Sequence, residues 1–421
     1  MAWELCLTLV RLGAALFILV LMAHRGWLAR GMFLSALLLA LSAAMTPWHI
    51  VQVFCSAVTD EGMVSLACAL VAIYVFSGDM EQSGQNRRMM DMVARAVPSR
   101  ALQFILFPAL VGFFPIPGGA IFTCPLVEET ARPFTLNNEH KALLNYWFRH
   151  IGEVVTPLSP GILLFAAMGD CSFLLLLLIG VPTFLWATAV GWFFFLRNLP
   201  RVLPQGTAEA AEEESSGFFL EALPMLASLA LAVVLRLVCP ALNAGFSITV
   251  AFVLGAVICR LQNRLPLKEL PHMLLTKRTL NNMLVILGIF FFKAVLEEGD
   301  MLRPLGALAE GEAGLFLICT LTPLIAGILI GLLMGGIGVS APVVLGVIQH
   351  YGAWDERIAW IALTVMFSYL AEQLSPMHVC LVVTAQYFQV SMSRLLRRVL
   401  LPAAVVAGGC ILWFCVLLLM V

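Results

Sequence analysis

The chain has 421 residues, of which 61% are hydrophobic and only 12% charged, and its formal net charge is −1. A soluble domain carries about 25% charge and roughly 45–50% apolar residues, so a water-facing fold is excluded, and the near-neutral balance provides no basic surface for nucleic acid. Continuous apolar runs also exclude a membrane β-barrel, whose strands alternate every second residue.

A membrane-spanning helix needs about 20 apolar residues. In chain order, spans are predicted at 5–23, 31–58 (interrupted at Pro47) and 63–79. The segment 101–135 is broken by Pro108, Pro115, Pro117, Gly118, Gly119 and Pro125, and is expected to form a hairpin. A broken helix at 142–168 and a span at 172–196 complete the first half. The polar stretch 197–217, with Glu212, Glu213, Glu214, Ser215 and Ser216, reads as a linker. The second half, 218–421, offers spans at 218–238, 240–259 and 281–296, a Gly- and Pro-interrupted segment at 313–350, a broken helix at 358–390 and a last span at 399–420. Glu4 stands where a signal peptide would be basic, so the first span is expected to be retained. Eleven cysteines form no CxxC pair and mostly sit in apolar runs, where a thiol acts as a small hydrophobe.

The halves repeat. Gly118-Gly119 through Thr123-Cys124-Pro125 matches Gly335-Gly336 through Ser340-Ala341-Pro342, and Leu158-Ser159-Pro160 matches Leu374-Ser375-Pro376. If both interrupted segments re-enter on the side they leave, and the N-terminus is outside, 18 of the 24 basic residues fall on the cytoplasmic side. Full crossings would invert the middle of the chain and destroy that bias. The expected fold is thus an all-α polytopic membrane protein with about ten transmembrane helices and two re-entrant hairpins, in two inverted-topology repeats, 1–196 and 218–421. Such repeats are a device of secondary transporters.

Each break places a hydroxyl residue just before a proline, the order of an N-cap followed by a first helical turn. Thr123, Ser159, Ser340 and Ser375, with Gly118-Gly119 and Gly335-Gly336 as reversals, are therefore expected to cap half-helices whose positive ends bind an anion. Ionisable residues inside spans are costly and functional by default. Glu153 and Glu372 precede the two breaks, His150 shares a helix face with Glu153, and His378 follows the second break; these four are the ion-coupling candidates. Arg149 and Lys293 could add attraction for an anion, although Lys293 can snorkel to the surface.

The segments Pro108–Glu128 (PALVGFFPIPGGAIFTCPLVE) and Leu374–Phe388 (LSPMHVCLVVTAQYF) carry a family resemblance. The sequence resembles an uncharacterised bacterial and archaeal integral membrane family of the ion transporter superfamily, and is more distantly similar to gluconate permeases and divalent-anion/sodium symporters. That resemblance implies two hairpins and two broken helices in a mobile transport domain, the other spans as a scaffold, a homodimer, elevator-like movement, and an organic-anion substrate coupled to Na⁺ or H⁺. It also implies a plasma (inner) membrane location. The Ser-Asn-Thr signatures of the dicarboxylate symporters are absent, so their dicarboxylate specificity and Na⁺ ligation are not implied by motif.

The expected function is a secondary transporter of a small organic anion, not an enzyme, with no cofactor or bound metal beyond the coupling ion. A metal-dependent membrane enzyme built on His150-x-x-Glu153 and His378 is the alternative, but the paired HExxH ligands of a metalloprotease are missing. A channel is a further alternative, one that leaves the inverted symmetry without a purpose.

Overall fold

The computed structural model describes residues 2–97, 99–113, 119–169, 171–199, 211–239, 241–266, 268, 276–306, 311–351 and 355–420. The first half contains α1 (Ala2–His24), α2 (Leu28–Ser42), α3 (Pro47–Thr59), α4 (Glu61–Gln82), α5 (Gln85–Ala96), α6 (Arg100–Gly112), α7 (Gly119–Ala131), α8 (Asn138–His150), α9 (Pro160–Met168) and α10 (Phe173–Gly191). The second contains α11 (Ala211–Val238), α12 (Ala244–Asn263), α13 (Lys277–Glu298), α14 (Glu312–Ile330), α15 (Leu333–Tyr351), α16 (Arg357–Gln373), α17 (Val379–Tyr387) and α18 (Met392–Met420). Among the described residues, nine helices are long and apolar enough to cross a membrane. The protein is a polytopic all-α integral membrane protein.

The expected discontinuities at Pro47 and in the two broken helices are present, whereas helices run straight through Pro108, Pro125 and Pro342. Pro47 starts α3 behind Thr46, whose hydroxyl accepts from the His49 amide. The interrupted segments are helical pairs, α6 with α7 and α14 with α15, and the broken helices are α8 followed by α9 and α16 followed by α17. The expected linker is helical from Ala211 onward, because α11 begins there. Gly118 lies outside the described residues.

Burial shows what the fold places at its centre. Every residue of α8 from Ala142 to His150 is buried, as is every residue of α16 from Ala359 to Gln373. A helix buried on all faces belongs to the core rather than to a lipid or solvent boundary. Toward the ends of α4 and α12, Arg260 grips the buried Asp79 carboxylate with two donors, at 2.8 and 2.7 Å. Nearby, Arg88 makes the same two-donor contact with Glu221, at 2.7 and 3.0 Å, tying α5 to α11.

Helix bounds recur between halves with nearly constant spacing. The α4 and α13 helices each have 22 residues, beginning at Glu61 and Lys277, with Asp60 and Thr276 capping the amide three residues on. The α9 and α17 helices each have nine residues, beginning at Pro160 and Val379. The latter pair is 219 positions apart, which changes the register drawn from sequence. Ser159 corresponds to His378: both precede the second half-helix, with φ/ψ of −70/113° and −68/118°. Ser375 corresponds instead to Thr156. Each donates to a carbonyl near the end of a hairpin's first arm, Thr156 to Phe113 O at 3.1 Å and Ser375 to Ile328 O at 2.6 Å. Each also accepts from the amide two residues on. In this register Glu153 and Glu372 are also 219 apart and occupy equivalent positions.

Candidate functional site

The N-capping expected of all four hydroxyls holds in position for one. Ser159 occupies the N-cap of α9 with Pro160 in the first turn, though its side chain makes no capping bond. Thr123 and Pro125 lie inside α7, and Ser340 and Pro342 inside α15. Their hydroxyls donate back to carbonyls of their own helix, Thr123 to Gly119 O and Ala120 O, Ser340 to Gly336 O at 2.8 Å. A proline inside a helix loses its own N–H bond and crowds the carbonyl four residues back, yet the helix continues through it where packing holds the neighbouring backbone. Ser375 lies in the turn before α17, four residues short of the helix start at Val379.

The glycines also divide. Gly331, not Gly335-Gly336, turns the second hairpin: it ends α14 with φ +74°, a left-handed conformation that glycine adopts without steric cost. Gly336 lets the arms touch, since a Cβ there would sit 3.0 Å from the Gly327 Cα, and a Cβ on Gly335 would meet the Ile330 side chain at 2.6 Å. Gly119 approaches something else. A Cβ on it would lie 2.6–2.8 Å from the guanidinium atoms of Arg149.

Arg149 introduces the cluster. On α8, Asn145, Tyr146, Arg149 and His150 follow helical spacing, and each contacts the second half. Asn145 donates to Thr384 Oγ1 at 2.9 Å and to Cys124 Sγ at 3.2 Å. The Tyr146 hydroxyl donates to Gln373 O at 2.8 Å. Arg149 Nε donates to Cys380 Sγ at 3.4 Å, and His150 Nε2 lies 2.8 Å from His378 Nε2. Around the histidines stand the two acids. Glu153 Oε1 is 3.9 Å from His150 Nε2, and Glu372 Oε1 is 3.2 Å from His378 Nδ1. The two carboxyl groups are within hydrogen-bonding reach of each other.

All four ion-coupling candidates thus converge where the turns of the two broken helices meet. Thr123, Ser159, Ser340 and Ser375 are buried around the two hairpins and turns; the hydroxyls of Thr123, Ser340 and Ser375 bond elsewhere, and Ser375 reaches the quartet only through its backbone, which bonds Glu372 O and the His378 amide. Sequence reading missed Cys380, Asn145, Tyr146 and Thr156. Lys293 pairs with Glu297 at 3.8 Å and is no part of the cluster.

Buried groups normally have hydrogen-bond partners, so exceptions are informative. Here Arg149 Nη1, Glu153 Oε2, Glu372 Oε2 and Asn145 Oδ1 have none. Arg149 is only 6% exposed. Among the described residues no carboxylate forms an ion pair with it. An unneutralised buried guanidinium is expensive, and an anion is the partner that would relieve it. Ligand atoms of His150, His378 and Cys380 also lie within 4.8 Å of one another, close enough for one cation to touch all three.

Residues 14–419 match a family described as "Protein of unknown function (DUF401)". The chain belongs to that family. No curated protein matches it. Among solved structures, the YdaH transporter of Alcanivorax borkumensis shares the fold, with a TM-score of 0.60 at 16% identity over 88% of this chain and 88% of that one. MtrF of Neisseria gonorrhoeae, described with a class of antimetabolite efflux pumps, gives a TM-score of 0.49 at 13% identity over 87% of this chain and 83% of that one.

For this member of the family, the cluster has a neighbouring space. A cavity of about 320 Å³ is lined by Val155, Thr156, Pro157 and Leu158 of the first turn, by Asn86, Met89 and Met90 of α5, and by Phe113 after α6. Its walls are apolar apart from Asn86 and Thr156, and both amide atoms of Asn86 lack partners. The cavity has the dimensions of a small-molecule site.

Proposed function

We propose that the protein is a secondary active transporter of a small organic anion, driven by Na⁺ or H⁺. The observation that carries this reading is Arg149. It is a buried cation with a free donor and no carboxylate partner, held against Gly119 at the start of the 13-residue α7. An anion there gains the guanidinium and the positive end of a helix together.

In this reading the hydroxyls of Thr123, Ser159, Ser340 and Ser375 and backbone amides near Gly118, Gly119, Gly335 and Gly336 shape the site, while Glu153, Glu372, His150 and His378 bind the coupling ion. The halves are inverted-topology repeats, with the first hairpin entering from the cytoplasm and the second from outside. The equivalence of Glu153 and Glu372, and of Thr156 and Ser375, supports that symmetry. Alternating access follows, because two related half-structures enclose one shared centre. Elevator-like movement of the hairpins and broken helices, within a homodimer in a bacterial or archaeal inner membrane, is the mechanical form we adopt. That the A. borkumensis neighbour, which shares the fold, is a transporter agrees with this reading.

A thermal-shift screen of monocarboxylates, dicarboxylates, phosphate and sulfonates on purified protein tests it, since a ligand stabilises the fold by mass action. At least one anion should raise the melting temperature of wild-type protein. In Arg149→Gln its affinity should fall by about 10–100-fold, as loss of one charged hydrogen bond requires. An equal response in both proteins would remove the assignment. Stoichiometric zinc in the purified protein would favour the metal-enzyme reading.

A further inference from the structure

His150 and His378 meet ring to ring between the two broken helices. Both are buried, their centroids are 4.6 Å apart at 75°, and their Nε2 atoms are separated by 2.8 Å. The opposite nitrogen of each ring determines where the protons lie. His150 Nδ1 is 2.7 Å from the Tyr146 carbonyl oxygen. A carbonyl only accepts, so this Nδ1 carries hydrogen. His378 Nδ1 is 2.9 Å from the Gly331 carbonyl oxygen, so it carries hydrogen too.

A neutral imidazole has a single N–H. With both hydrogens on Nδ1, two neutral rings would point bare lone pairs at each other across 2.8 Å. The contact is attractive only with a cation between them. Two nitrogens on one tetrahedral zinc, at 2.0–2.1 Å each, stand about 3.3 Å apart. Hard cations such as Na⁺ prefer oxygen ligands over imidazole and thiol. The observed separation belongs to an N–H···N hydrogen bond.

We infer that the His150–His378 pair binds one proton, shared as Nε2–H···Nε2, and that this proton is the coupling ion of the transport cycle. The second clause rests on the transport reading given above; the first does not.

The surroundings suit the charge. Facing the pair are Tyr146 and Arg149 from α8, Glu153 from the turn that follows, Glu372 from α16, and Cys380 from α17. Glu153 and Glu372 face each other, and each has an Oε2 that no donor reaches. One further proton on this acid pair leaves it with a single negative charge. Arg149 and the protonated histidine pair contribute two positive charges against it. One monovalent anion then completes neutrality, which links the number of protons to the number of anions carried. When the proton leaves the histidines, the facing lone pairs repel and the two turns separate. Ion release is thereby connected to the junction between the halves.

The test uses wild-type protein with ¹⁵N-labelled histidine in lipid nanodiscs, in choline buffer without sodium or added ligand, titrated from about pH 5 to 9 where histidine switches are read. The expected result is a scalar coupling across one N–H···N bond joining His150 and His378. It should be lost in a single step in which both Nε2 signals move together. Replacing choline by sodium, or adding equimolar zinc, should leave the coupling in place. His150→Gln and His378→Gln should each abolish the joint step, and the surviving histidine should titrate alone. Two independent titrations in wild-type protein, a coupling that persists unchanged across the whole range, or its displacement by sodium or zinc would each overturn the proposal. Finding no stabilising anion in the screen above counts against the transport reading alone, since this measurement needs no substrate.

Discussion

A guanidinium buried in a membrane protein needs a counter-charge or a reason to lack one. Arg149 lies against the bare α-carbon of Gly119, and adding a side chain there would place atoms where the guanidinium now rests. Gly119→Val should therefore displace Arg149 while leaving the helices in place. Its melting temperature should stay within a few degrees of wild type, while anion-dependent stabilisation falls by about 10-fold or more, the equivalent of roughly 1.4 kcal/mol. An undiminished anion response would show that the contact is only a matter of packing. At this scale the sequence was readable where chemistry was rare. Glu153, Glu372, His150 and His378 stand out because few ionisable residues interrupt the apolar runs, and the structure brings them together. Cys380 and Tyr146 did not stand out, because in an apolar run they look like other core residues. Only the fold shows which of them faces the cluster.

Helices raise a different question, that of what holds them in register. Asp79 of α4 is fully buried and gripped by Arg260 of α12 through two short hydrogen bonds. Removing one member leaves the other charge buried without its partner. Asp79→Ala should cost about 3–5 kcal/mol, while Asp79→Leu with Arg260→Met should recover most of it, because an apolar pair replaces the ionic one at little net cost. Denaturant or thermal unfolding in detergent measures both. Recovery should fail only if the ion pair also fixes the helix register.

The breaks at Pro47 and in the two broken helices were legible, since proline and glycine punctuate apolar runs. The geometry within them was not. A Ser-Pro pair reads as a helix start, yet Ser340-Ala341-Pro342 runs through the middle of α15. The Leu-Ser-Pro match in the two halves gave a register three residues short, because helix α16 continues to Gln373 and its turn is correspondingly shorter than that after α8. Arg260 counts among the cytoplasmic charges by sequence, whereas in the fold it is 7% exposed and bound to Asp79.

Over the whole molecule, the buried stretches of α8 (Ala142–His150) and α16 (Ala359–Gln373) occupy the centre, and equivalent acids stand just after the first, at Glu153, and at the end of the second, at Glu372. The bonds from α8 to Thr384, Gln373, Cys380 and His378 all cross between the halves. A static scaffold has no need of a polar seam there, where unpaired charge is costly. A transporter does, because binding and release must change the strength of the junction between the parts that move. The most direct measurement is uptake of the most stabilising anion by purified protein in liposomes under an imposed proton gradient. Alternating access driven by protons predicts accumulation above the external concentration, abolished by a protonophore and by Arg149→Gln. Flux that only equilibrates the anion, regardless of pH and sodium gradients, would contradict it.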